Sequence, residues 1–581
     1  MIALADLNVL SATDFTAALA HVFEHSPWIA ERAATKRPFA SRLALHAAMC
    51  EVVQQASTAE QLDLVRAHPE LAGRAAVRNE LTADSTREQR GIGLDACTPD
   101  EFARLHDLNR RYNEKFGFPF ILAVRGHDRA SVIAAFGTRL DSGIDEELHT
   151  ALKQIERIAF FRLNETVDAP LGTELIAMHE VLAQYSDDDS GSLTCTYLRP
   201  AHIATAKWIR DFMLAANLDV EIDAVGNVVG RWRSGSPAAR TLITGSHYDT
   251  VTDAGKYDGR LGVLLPIAVV QRLRGAGTKL PYDLEIVAFA EEEGVRFKST
   301  FLGSSAIAGS FDRGVLDLID SDGVSLREAM LAAGHDPQTI DAVARDPRRV
   351  AGYVEVHIEQ GPVLLDAGRA LGVVTAIAGS VRSIVTIVGL AGHAGTVPMG
   401  LRRDAAAAAA EIVLAVEKYC STAAGLVGTV GRLEVPHGAI NVIPGRCELS
   451  IDIRAGDDSV RDAAEAEVLA EIERIAARRK VKIDVRRVLR AAGAPCADAM
   501  QDQLASAITR IANDAAPLRL PSGAGHDAMK MATITPIGML FVRCGNGGIS
   551  HNPAETMTAD DADVAARVFT DFLIHFKPVS A

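Results

Sequence analysis

The residues of this chain that could do chemistry fall into two groups. In the second half, five short motifs carry imidazoles and carboxylates: Gly245-Ser246-His247-Tyr248-Asp249-Thr250, Tyr257-Asp258-Gly259, Glu291-Glu292-Glu293-Gly294, Val356-His357-Ile358-Glu359-Gln360-Gly361 and Ser550-His551-Asn552-Pro553. Each alone is weak. A lone histidine after a strand is more often a satisfied polar group than a ligand, and three glutamates in a row usually form a solvated face. Here the glutamates directly follow the apolar run 284–290. Crowded or buried carboxylates are costly unless a cation neutralises them. Three histidines, an aspartate and a glutamate pair at strand ends therefore point to metal. Two hydrolytic metals, roughly 3.5–4 Å apart, need a bridging carboxylate and a few nitrogen or oxygen ligands each. Imidazole and carboxylate suit Zn2+ or Mn2+, and the lack of thiolates argues against a structural zinc. A second carboxylate beside a ligand can act as general base toward water. Asp249, two residues after His247, emerges on the same side of an extended chain, where it can orient the imidazole.

The first half holds a different set: Arg66-Ala67-His68-Pro69-Glu70-Leu71-Ala72-Gly73, Ser85-Thr86-Arg87-Glu88-Gln89 and Phe116-Gly117-Phe118-Pro119-Phe120-Ile121. Pro69 disfavours helix at the preceding residue, which leaves the His68 imidazole at a helix end. Taken singly, His68 reads as a helix cap, Ser85 with Glu88 as a capping box, and 116–120 as a packed turn.

These residues need elements to position them. The 581 residues exceed what one hydrophobic core usually spans, so two or three domains are expected. Residues 1–165 read as helical: Phe15, Leu19, Val22 and Phe23 recur at helical spacing, Thr98-Pro99-Asp100-Glu101 is a capping box, and Phe102, Leu105, Leu108 and Tyr112 follow on one face. Ile144, Leu148, Leu152, Ile155 and Ile158 make a last stripe, and no strand pair is expected in this part. From 170 to 378, buried strands at 241–245 and 284–290 alternate with helices, which predicts an α/β layer with a largely parallel sheet and ligands at the carboxyl ends of its strands. Residues 379–494 predict an inserted α+β unit, with half-buried strands at 383–388 and 447–454 and helices near 402–419 and 458–479. The first α/β layer resumes over 495–581.

Composition excludes several classes. A formal net charge of -15, with 60 Lys plus Arg against 75 Asp plus Glu, is a poor match to nucleic acid. Seven scattered cysteines without CxxC spacing are not a disulfide framework and fit a reducing cytosol. Met1–Leu10 has no basic n-region, so no signal peptide is expected, and no apolar run is long enough to span a bilayer. The expectation is a cytoplasmic protein with neither nucleic-acid nor membrane partners.

Residues 170–577 resemble the M20-type metallopeptidases, within them the allantoate amidohydrolases and N-carbamoyl-amino-acid amidohydrolases; all five motifs occur in order. The resemblance implies that Asp258 bridges two divalent ions, Zn2+ or Mn2+, with His247 and His357 completing one site and Glu293 and His551 the other. It makes Glu292 the general base, a shift of one residue within the triplet being the alternative. It also implies that the insert is a lid that dimerises, with substrate groups at Gln360, His393, Asn441 and Arg454, and at His526 in Ser522-Gly-Ala-Gly-His526-Asp527. Arg454 could hold a substrate carboxylate and His393 could donate to a developing oxyanion.

Residues 10–163 resemble the decarboxylases of 2-oxo-4-hydroxy-4-carboxy-5-ureidoimidazoline (OHCU), through the motifs around His68, Ser85 and Phe116, Phe23-Glu-His-Ser-Pro-Trp28, and Arg125. That family is all-helical and works without a cofactor. The resemblance makes His68 the acid/base, a role histidine suits at neutral pH. Glu88 would orient it or the substrate, and Pro69, Ser85, Gln89 and the segment Phe120, Ile121, Leu122, Ala123, Val124 and Arg125 would form the pocket. Joined, the halves imply a bifunctional enzyme of urate breakdown that acts on small ureido molecules: OHCU to (S)-allantoin, and allantoate to ureidoglycine, ammonia and CO2. A separate allantoinase is expected for the step between. The alternative is an amidohydrolase of N-carbamoyl-amino acids or other ureido acids, with a helical docking module in front.

Overall fold

The computed structural model describes residues 1–71 and 82–579. Ala72 and Gly73, the end of the His68 motif, lie outside the described residues.

The first part is helical. Helix Pro99–Phe116 begins at the capping box of Thr98 and Glu101 and ends at Gly117, whose φ of 75° places it in the left-handed region that glycine adopts without strain. Its inner face is Leu105, Leu108, Tyr112 and Phe116; Phe102 lies outside that face and is exposed. Helix Ile144–Thr166 buries Leu152, Ile155 and Ile158, while Ile144, its first residue, is exposed. Ser85 and Glu88 are not a capping box: helix Ala83–Gly91 is capped by the Thr82 side chain, which leaves the Ser85 hydroxyl for other partners. One strand pair was not expected. Ile2–Ala3 runs parallel to Val167–Asp168 and ties the chain start to the end of the helical part.

The second part is built on a nine-stranded sheet. Val350–Ile358 lies between Thr241–His247 and Ile537–Val542, all parallel, and Asp283–Phe289 is parallel to Thr241–His247. Every residue of Val350–Ile358 is buried, as expected of a central strand covered on both faces. Outside this middle the pairing is mixed, Leu518–Ser522 running parallel to Leu371–Ile377 at one side. Val228–Trp232 and Asp219–Ile222 on one side, and Leu371–Ile377 on the other, are antiparallel. The pair 219–222 and 228–232 is joined by a short turn, which permits only antiparallel pairing.

The inserted unit has its own core. Gly379–Val388 pairs antiparallel with Arg446–Ala455 and Lys482–Ala491, and helices Ala405–Cys420 and Asp458–Arg479 cover one face through Val385, Ile387, Leu449, Ile412 and Ile472. The first of these helices starts three residues later than its composition suggests, because Asp404 caps it by accepting from the backbone N–H of Ala406 and Ala407. The helical part and the sheet part share one continuous apolar core.

Candidate active sites

The parallel strands end together, and their carboxyl ends carry the imidazoles and carboxylates. His247 closes Thr241–His247, the glutamate triplet follows Asp283–Phe289, and His357 is the penultimate residue of Val350–Ile358. Asp258 lies just before helix Arg260–Gly275. Potential ligand atoms of His247, Asp258 and His357 lie within 4.8 Å of one another, as do those of Asp258, Glu293 and His551, and those of His247, Glu292 and Glu293. Asp258 belongs to two of these groups. Its Oδ1 is 3.2 Å from His357 Nε2 and 3.7 Å from His247 Nε2, and its Oδ2 is 3.0 Å from His551 Nε2. Buried Asp258 Oδ1 has no hydrogen-bond partner among the described residues. A buried carboxylate oxygen without a donor, ringed by imidazoles, fits a bridging position between two cations.

In the helical part, the imidazole of His68 is buried. Its Nδ1 lies 2.9 Å from the Leu64 carbonyl oxygen, and its Nε2 has no partner among the described residues. Burial pulls its pKa down to about 4, so the ring is neutral at pH 7. A neutral ring facing a carbonyl through Nδ1 must carry its proton there, which leaves Nε2 as a lone-pair acceptor. Beside it, Arg162 is clamped between carboxylates: Nη1 is 2.8 Å from Glu24 Oε2, Nε is 2.9 Å from Glu88 Oε1, and Nη2 is 3.1 Å from Glu88 Oε2. The Ser85 hydroxyl donates to Glu24 at 3.2 Å and accepts from Arg162 at 3.3 Å. His68, Pro69, Ser85, Glu88, Gln89 and Arg162 line one small pocket, whose far wall is Phe120, Ile121, Leu122 and Val124.

Residues 243–575 match the model of peptidase family M20/M25/M40, and residues 8–164 match the OHCU decarboxylase model. The chain belongs to the M20 family. It is 40% identical over 387 residues to an N-carbamoyl-L-amino acid amidohydrolase of Geobacillus stearothermophilus, covering 67% of this chain and 94% of that protein. It is 40% identical over 435 residues to allantoate deiminase of Arabidopsis thaliana, covering 70% and 82%. A crystal structure of an amidohydrolase/peptidase from Burkholderia cenocepacia superposes with a TM-score of 0.64 at 32% identity, covering 69% of this chain and 97% of that one. M20 members bind divalent metals, and the donor set found here is all imidazole and carboxylate.

The electrostatics of this M20 site show what a cation has to balance. Burial pushes Asp258 up, but the imidazoles of His247, His357 and His551 outweigh it and hold the carboxyl well below its ordinary range. Burial raises Glu292 well above the carboxylate range and Glu293 to about 7. His551, next to Asp258, rises to about 9. Asp249 supports the set from behind. Its Oδ1 is 3.5 Å from His247 Nδ1, and its carboxylate accepts from the backbone N–H of Glu292 at 3.1 Å and of Glu293 at 3.2 Å. Glu291 is buried at 1% exposure and belongs to none of the ligand groups found among the described residues.

The expected substrate groups divide. Gln360, held at a φ of 55°, donates to Asp258 Oδ2 at 2.9 Å and so stands at the cluster. Arg454 donates to the Gly523 carbonyl at 2.8 Å and pairs with Asp452; it borders a groove of about 530 Å³ between the inserted sheet and the 522–527 loop. His393, in the strand pair Gly392–His393 and Val442–Ile443, and Asn441, just before that pair's second strand, are exposed, with no hydrogen bond to the cluster among the described residues. His526 is enclosed rather than open to a ligand: its ring stacks edge-on to His357 at 4.5 Å and its Nε2 is 2.7 Å from Ser522 Oγ. In the helical part, Ala123 and Arg125 do not line the His68 pocket. The backbone N–H of Ala123 donates to Gln154, and Arg125 pairs with Glu165 in an adjoining outer cavity.

Three residues were missed. Glu555 accepts from the backbone N–H of Tyr257 at 2.7 Å and of Asp258 at 3.2 Å, and so fixes the backbone that carries Asp258. Its signal was proximity: it lies four residues after His551. Arg162 interrupts the apolar run Ile158-Ala-Phe-Phe-Arg-Leu163, where a charge has to find partners. Glu24 stands inside the 23–28 motif and gave no other sign.

Proposed function

We propose that this chain is a bifunctional enzyme of urate breakdown that decarboxylates OHCU without a cofactor and hydrolyses allantoate with two divalent ions. The boundaries in this reading are 1–165 for the decarboxylase, 170–378 and 495–581 for the hydrolase, and 379–494 for the inserted lid. The observation that carries the hydrolase is Asp258, shared by two ligand groups at the strand ends. His247 and His357 would hold one ion with Asp258, and Glu293 and His551 the other. The ions, Zn2+ or Mn2+, supply Lewis acidity and lower the pKa of water. Glu292 takes the proton of the attacking water and passes it to the departing nitrogen as the ureido C–N bond breaks. Asp249 and Glu555 fix the ligands, and Arg454 binds the substrate carboxylate. His393 and Asn441 make no hydrogen bond to this chain's own cluster among the described residues, which supports a lid that serves a second subunit. Leu390, Met399, Leu401 and Ile440 give that lid an exposed apolar face, which supports a homodimer.

The decarboxylase reading rests on His68 Nε2, a buried acceptor without a partner among the described residues, beside the Arg162–Glu88 pair. The substrate carboxylate leaves as CO2, its bonding electrons pass into the conjugated ring, the hydroxyl-bearing carbon it leaves becomes a carbonyl, and the neighbouring ureido-bearing carbon takes a proton. His68 Nε2 accepts the substrate's hydroxyl proton and can return it to one face, which gives (S)-allantoin. Among the described residues no helix is long and apolar enough to cross a membrane.

A second reading has its own support: the identity to the carbamoylase equals that to the allantoate deiminase, both 40%. The test is ammonia release by metal-stripped protein, with Mn2+ or Zn2+ restored, from allantoate beside an N-carbamoyl-L-amino acid, and CO2 release from OHCU by the same protein and by His68→Ala. Metal-dependent release with an allantoate preference is expected, with CO2 release lost in the variant. Hydrolysis of the carbamoyl-amino acid alone would replace the allantoate assignment, and full decarboxylation by His68→Ala would remove the role of His68.

A further inference from the structure

The loop that walls the His68 pocket is held by the other enzyme. Arg157 reaches the Ala123 carbonyl with Nη1 at 3.4 Å, and its other nitrogens grip Asp211, on helix Pro200–Ala215 of the sheet part, at 2.6 and 2.8 Å. On the same helix, Arg210 donates to the Gly126 carbonyl at 3.3 Å. A β-carbon at Gly126 would come within 2.9 Å of both Leu214 methyls, so the backbone at the end of the loop lies directly on this helix. A second observation is independent of this clamp. The His68 pocket has a volume of about 30 Å³, room for only a few waters. A ring bearing ureido and carboxylate groups needs more space. Glu88, Val124 and Ile158 line both this pocket and an adjoining cavity of about 1040 Å³. Arg87 and Arg125 line the near side of that cavity; Asn217, Asp219 and Val220 of the sheet part line the far side. Asp219 begins the strand at the end of the nine-stranded sheet, and its side chain is 73% exposed.

We propose that the hydrolase unit completes the decarboxylase site. Helix Pro200–Ala215 positions the pocket loop through Asp211 and Leu214, and the sheet edge at Asn217–Val220 is the outer wall of the vestibule that admits and in part holds the ureidoimidazoline. This rests on the decarboxylase reading above. Asp211 and Leu214 are positioning residues, and Asp219 and Val220 shape specificity; none lies in the hydrolase cluster.

The test uses the full chain and reads CO2 release from OHCU, with ammonia release from the hydrolase substrate as a control for folding. Asp219→Trp fills the vestibule from an exposed position and is expected to raise KM about tenfold with little change in kcat. Asp211→Ala frees Arg157 and the loop and is expected to lower kcat/KM about tenfold, with recovery in Asp211→Glu. Hydrolase activity stays at wild-type level in all three variants. Wild-type decarboxylase KM and kcat in both Asp219→Trp and Asp211→Ala would overturn the inference while leaving the decarboxylase reading standing. A wild-type chain that releases no CO2 would overturn that reading and the inference with it.

Discussion

Arg162→Met isolates the central interaction of the helical part. Arg162 and Glu24 are 3% and 2% exposed, and Glu88 is 23% exposed. The substitution keeps the apolar length of the side chain and removes the charge, which among the described residues leaves Glu24 with donors only from Thr82 and Ser85. Breaking a buried pair from one side costs about 3–5 kcal/mol. A ceiling comes from protonation: neutralising a carboxyl that ordinarily titrates at 4.5 costs about 3.4 kcal/mol at pH 7. The expected destabilisation is therefore about 3 kcal/mol at pH 7, and smaller at pH 5, where Glu24 protonates more cheaply. Glu24→Gln with Arg162→Met removes the stranded charge and should recover about 2 kcal/mol. Whole-chain unfolding of so large a protein need not be two-state, so the assay is amide hydrogen exchange along Ile144–Thr166. The single variant should exchange about a hundredfold faster there, and the double variant far less so. Exchange within about threefold of wild type in Arg162→Met, or a double variant as labile as the single one, would refute the reasoning.

Two further outcomes follow from the same geometry. Glu292→Gln keeps every ligand of the Asp258-centred groups, so metal content by elemental analysis should stay at wild-type level while kcat for ammonia release falls about 10²–10⁴-fold; loss of metal would instead make Glu292 a ligand. Burial holds His68, His179 and His202 each to about 4, against 6.5 ordinarily. The unfolded chain then binds more protons between those values, so the stability these rings contribute is complete above about pH 6.5 and is lost as pH falls toward 4, at most about 3 kcal/mol per ring. Melting temperature should drop across that window, and His202→Asn should flatten the slope; an unchanged slope in the variant would count against buried neutral rings.

What was legible in the sequence was local. Helix Asp458–Arg479 stands where its spacing predicts, and the box at Thr98–Glu101 starts its helix, because both follow from interactions within one or two turns. The clustering of His247, Asp258, Glu293, His357 and His551 was approachable for a related reason: each motif sits at the end of an apolar run or beside a glycine turn, and parallel strands deliver such ends to one edge. Other features depend on partners far away in the chain. Arg162 meets Glu24 across 138 residues and Glu555 supports Asp258 across 297, and no local pattern encodes which buried charge another will find. The antiparallel flanks of the sheet, the capture of Ser85 by Glu24 and the seat of Gly126 on Leu214 are likewise settled by packing. The sequence by itself determined the helices and the central strands, through periodicity, caps and residue type, and set the imidazoles and carboxylates of the second half at the ends of those strands. Only the tertiary structure decided which buried charges pair and which unit walls the other's pocket, because those choices minimise unsatisfied polar groups and empty space across the whole molecule at once.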